Sequence, residues 1–81
     1  MWVEFTIEFE GEAAGVVISA PRIGQMEAQA KVAATRLADD AATRGQRASV
    51  YRLQRRWHRR QWVDSRRELV YEAAIAAAAA A

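Results

Sequence analysis

Residues 2–10 alternate without a break. Val3, Phe5, Ile7 and Phe9 point one way, and Trp2, Glu4, Thr6, Glu8 and Glu10 point the other. A strict period of two describes a strand with one buried face and one wet face. The buried face needs a second layer to cover it, and the whole chain has 81 residues in which to supply one. A chain of this length buries about 60–65% of its unfolded surface, which supports one small core. Two-domain enzymes, a Rossmann unit with a partner domain and ordinary barrels are therefore excluded.

The following segments supply a sheet and one helix. Two glycines, Gly11 and Gly15, bracket a loop, and Val16-Val17-Ile18-Ser19-Ala20 is β-branched at three successive positions, so residues 1–20 form an antiparallel hairpin. Pro21 suits a helix start. The stripe Ile23, Met26, Ala30, Ala33, Leu37 and Ala41 predicts a helix over residues 23–44, closed by Gly45 as a left-handed cap and anchored by Ile23, Met26 and Leu37. Residues 48–57 read as a third strand, with Tyr51, Leu53, Arg55 and Trp57 on one face and Val50, Arg52, Gln54 and Arg56 on the other. The segment His58-Arg59-Arg60-Gln61 is the turn, and Trp62-Val63 opens a fourth strand. Beyond it, alternation continues through Leu69 and Tyr71. The favoured reading is nevertheless a C-terminal helix, because Ser65-Arg66-Arg67-Glu68 matches a capping box ahead of strong helix formers.

The expected fold class is thus α+β: a two-layer ββαββ domain over residues 1–72, its antiparallel sheet covered by one helix. Residues 73–81 follow as an Ala-rich tail or helix extension. The expected core is Val3, Phe5, Ile7, Phe9, Val16, Ile18, Ile23, Met26, Leu37, Tyr51, Leu53 and Trp57. The open sheet face would carry Glu4, Glu8, Glu10, Arg52 and Arg56 as cross-strand charge pairs.

Charge is distributed unevenly. Residues 1–43 hold three basic and seven acidic side chains, residues 44–81 nine basic and three acidic, and the whole chain is +2. Nine arginines and one aspartate lie between Arg44 and Arg67. Arginine's planar fork suits carboxylates and phosphates and stacks on rings.

Enzyme signatures are absent. There is no Cys, no phosphate loop and one His, which stands among arginines with Asp64 as the only acidic residue nearby in sequence to orient it. No cofactor or metal is implied. The expectation is a non-enzymatic interaction module. Its candidate partner-binding residues are Tyr51, Arg52, Arg55, Arg56, Trp57, His58, Arg59, Arg60, Trp62, Arg66 and Arg67. The first-choice partner is an acidic protein surface, since Arg, Trp and Tyr are enriched at interface hot spots. Nucleic acid is the alternative, with guanidinium groups on phosphates and rings on bases. Self-association is a further expectation, because one half of the chain is acidic and the other basic. No small-molecule substrate and no membrane are expected.

The first twelve residues carry four glutamates and no basic side chain, unlike a secretory leader. The Ala- and Arg-rich, Lys-poor composition resembles that of small proteins of GC-rich bacteria and their phages. That likeness covers composition and no motif. It implies an accessory or structural role in a larger assembly, in the cytoplasm or associated with a virion.

Overall fold

A computed structural model describes residues 1–75. The order of elements is β1 (Trp2–Phe9), β2 (Val16–Pro21), α1 (Gly24–Thr43), β3 (Ala48–His58), β4 (Gln61–Asp64) and β5 (Glu68–Ala73). The five strands form one sheet in the order β2-β1-β3-β4, with β5 also on β3. Strands β4 and β5 lie in tandem along the same edge of β3: β4 pairs residues 55–58 and β5 pairs residues 48–52. All pairings are antiparallel. The α+β class with one helix is therefore as expected.

The β1–β2 loop depends on a close approach. A Cβ on Gly15 would stand 2.5 Å from the Ile7 carbonyl oxygen, a distance that only glycine tolerates. The helix ends as its sequence implies. Gly45 adopts φ 81°, its N–H donates to the Ala42 carbonyl, and the Gln46 N–H donates to that of Ala41, a Schellman closure.

The core differs from expectation in three places. First, α1 buries Ala30, Ala34, Ala38, Ala41 and Ala42, while Ile23, Met26 and Leu37 are exposed. The helix is rotated so that its smallest side chains meet the sheet. Val3, Phe5 and Ile7, all fully buried on β1, already fill the space between the layers. Methyl groups alone let the helix backbone settle against them. Second, β3 presents the opposite face. Val50 pairs with Ile7 and is fully buried, and Ala48 pairs with Phe9, so Arg52, Gln54 and Arg56 share the helix side. Tyr51 and Leu53 are half-buried on the open side, and Trp57 is exposed. Register, fixed by β1, outranks the hydrophobicity of β3's own alternation. Val16 is likewise exposed at the sheet margin.

Third, residues 68–73 form β5 and not a helix. The Ser65 hydroxyl does not cap a helix; it accepts from the Gln54 N–H, bridging the gap between β4 and β5. As a helix, this segment would leave the β3 edge at residues 48–52 unpaired. A bulge at Val50/Tyr51 absorbs the extra residue Val70. The alanine run at 76–81, expected as tail or helix extension, lies outside the described residues.

Two predictions follow from this packing. Gly15→Ala and Ala34→Leu should each lower unfolding free energy by about 1–3 kcal/mol in urea titrations, since neither site has room for added carbons. Tyr71 of β5 donates a hydrogen bond to Asp39 of α1, and that bond raises the phenol pKa above its usual value. The raised folded value contributes stability that is present below the unfolded phenol pKa and is lost as pH rises through the folded one. A phenolate absorbance titration in a Tyr51→Phe background should show the high value, and Asp39→Asn should return it toward normal.

Candidate partner-binding hairpin

The β3–β4 hairpin extends beyond the rest of the sheet. β1 pairs with β3 only as far as Arg55, opposite Trp2. Past that point, Arg56, Trp57 and His58 pair with β4 alone. The turn is two residues long, and both are arginines in the left-handed region, Arg59 at φ 48° and Arg60 at φ 65°. A two-residue hairpin turn of this hand matches the twist of its strands, and it ordinarily takes Asn-Gly. Each non-glycine residue there costs about 1–2 kcal/mol. The tip therefore holds two cationic side chains against their backbone preference.

The indoles of Trp57 and Trp62 face each other across the ribbon. Their centroids are 5.4 Å apart at an interplanar angle of 71°, an edge-to-face pair. Trp57 is 60% exposed and Trp62 48%. Burial does not hold these rings in place; the cross-strand pair and the neighbouring cation do. The Arg55 guanidinium lies 5.7 Å from the Trp62 ring centre.

Three of the candidate arginines already have partners. Arg55 donates to Asp64 at 2.8 Å and to Glu4 at 3.3 Å, tying the hairpin base to β1. The bond to Asp64, followed by that to Glu4, raises its already high pKa. Arg67 pairs with Glu8 at 2.7 Å and covers the face of Tyr51 at 3.8 Å. Arg52 lies on the helix side, pairing with Glu27 at 3.1 Å with both side chains largely shielded. The expected cross-strand pairing of Arg52 and Arg56 with the β1 glutamates is thus replaced. Arg55 and Arg67 serve Glu4 and Glu8, because they share the open face.

The exposed arginines Arg56, Arg59, Arg60 and Arg66 make no ion pair among the described residues. His58 is exposed on the face of the ribbon opposite the indoles. Trp2, 44% exposed opposite Arg55, extends the apolar surface of the same face. Its place on the polar phase of β1 was the available signal for that role. Among the described residues, no three His, Cys, Asp or Glu side chains cluster closely enough to hold a metal ion, and no helix is long and apolar enough to cross a membrane.

The chain has no significant match among protein-family models, curated proteins or solved structures.

The turn geometry is directly testable. Replacing Arg59 by Asn and Arg60 by Gly should stabilise the fold by about 1–2 kcal/mol, since both replacements accept left-handed backbone. A rise in the urea midpoint at unchanged slope would show it. A fall would mean that the arginines themselves stabilise the tip.

Proposed function

We propose that the chain is a non-enzymatic interaction module that docks the β3–β4 hairpin onto an acidic protein surface, as an accessory or structural component of a larger assembly. The observation that carries this reading is the projecting ribbon itself. It presents two exposed indoles on one face and carries Arg56, Arg59 and Arg60, which, like Arg66 just beyond β4, make no ion pair among the described residues. Indoles in shallow pockets with flanking guanidinium groups are the combination that dominates protein interface energies.

Nucleic acid is the competing partner, supported by the same free arginines. The ring geometry favours protein. Base stacking needs open ring faces, and here Arg67 covers Tyr51 while Arg55 approaches Trp62. Arg52, Arg55 and Arg67, which a phosphate backbone would use, are held by Glu27, by Glu4 and Asp64, and by Glu8.

Affinity capture from the source cell's lysate, with and without nuclease, separates the two. Retention of a protein partner after nuclease is expected. Trp62→Ala should weaken its binding about 30-fold or more, the scale of a hot-spot truncation. Arg59→Ala with Arg60→Ala should weaken it less and make it less salt-sensitive. Loss of all binding on nuclease treatment, with affinity falling steeply with salt, would transfer the assignment to nucleic acid.

A further inference from the structure

The two edges of the sheet are unlike. The β4/β5 edge is broken at residues 65–67, bulged, and lined with Asp64, Glu68 and Glu72. Charge, breaks and bulges are the usual protection of an edge against a second chain. β2 has none of them. Its six residues, Val16–Pro21, are uncharged and unbroken, and its outer side pairs with no strand among the described residues. Val16 is 43% and Val17 54% exposed.

The direction of its backbone groups can be read from one hydrogen bond. The Arg22 N–H donates to the Met1 carbonyl across β1. N–H groups in an antiparallel strand alternate sides. Ala20 and Ile18 therefore also face β1, and Val17 and Ser19 present their N–H and C=O groups outward. Pro21 has no N–H to offer, and its carbonyl is taken by the Ile23 N–H at 2.7 Å. The open ladder is thus four groups long, placed symmetrically about Ile18.

The helix supplies the second half of the surface. Asp39 reaches toward β5. At roughly 100° per residue, Met26 and Leu37 lie about 140° and 160° round α1 from it, on the β2 side. Both are exposed, at 47% and 38%. They stand about 8 Å on either side of the midpoint between them along the helix axis.

We propose that β2 and this helix flank form the interface of a two-fold homodimer, in which β2 pairs antiparallel with β2 of a second copy and the two sheets become one. With the axis at Ile18, Val17 of each copy meets Ser19 of the other, and all four outward groups are satisfied. The ladder stops where Pro21 ends it. The ends of the strand are also complementary. Arg22, which makes no ion pair among the described residues, follows β2, while Glu12 lies in the loop before it. Antiparallel self-pairing brings Arg22 of one copy to the Glu12 end of the other, twice; a parallel arrangement sets like against like. Three strand spacings would separate the two helices by about 14 Å. Alanines cannot bridge that gap, and Met26 and Leu37 can.

Sedimentation equilibrium of the full chain tests this, with amide exchange read in parallel. The wild-type chain should sediment at twice 9.1 kDa, with the Val17 and Ser19 amides protected in the dimer and unprotected on dilution. Val17→Lys, and separately Met26→Glu with Leu37→Glu, should each weaken dimerisation about tenfold or more at unchanged circular dichroism. Trp57→Ala should leave the dimer intact, separating this surface from the hairpin. A monomer at all concentrations, an assembly larger than two, a dimer that survives both edge and flank variants, or unprotected Val17 and Ser19 amides in a dimer would each overturn it.

Discussion

The fold rests on the contact between an all-alanine helix face and three large side chains of one strand. Val3, Phe5 and Ile7 of β1 are fully buried, and Ala34, Ala38 and Ala41 of α1 lie against the same core. The layer between helix and sheet is thin, and Val3, Phe5 and Ile7, joined by Val50 of β3, fill most of it. Such a core has no space for further bulk. It leaves Met26 and Leu37 of α1, Ile23 just before it and Val16 of β2 at the surface, while Val17 and all three tryptophans lie on the sheet's open face, opposite the helix.

That exclusion turns a packing constraint into surface chemistry. Two groups of these exposed side chains do not overlap. The indoles of Trp57 and Trp62 lie in the hairpin, where β3 outruns β1 and, among the described residues, pairs only with Gln61, Trp62 and Val63 of β4. The helix anchors and the valines go to the opposite margin, along β2. Charge is divided along the same lines. The carboxylates of β1 and α1 bind the arginines nearest the sheet, leaving the tip cationic, whereas β2 stays neutral between one acidic and one basic end. An exposed apolar group beside uncompensated charge has a direct use as an interface.

Much of this was legible in the sequence, and the failures share one cause. β1, the β1–β2 hairpin, α1 with its Gly45 closure, and the turn at Arg59-Arg60 follow from alternation, helical spacing and punctuation within single segments. The errors arose where one segment's preference is overruled by another. The β3 alternation favours burying Tyr51, Leu53 and Trp57, but its register against β1 puts Val50 beneath the helix. The helical stripe favours Ile23, Met26 and Leu37, but the depth of the β1 side chains admits only alanine. The Ser65–Glu68 pattern favours a helix, but the bare edge of β3 takes residues 68–73 as a strand. Arg52 illustrates the consequence for the binding hairpin: once β3 turns over, its guanidinium meets Glu27 on the helix side and leaves the open face.

Exposure of the large apolar side chains is the claim on which both proposed interfaces depend, and tryptophan emission measures it directly at the hairpin face. With its indoles at the surface, the folded chain should show red-shifted, water-like emission, and acrylamide should quench it nearly as readily as in the urea-unfolded state. Blue-shifted emission from the folded chain, shielded from quencher and released only on unfolding, would place the rings inside and contradict the account.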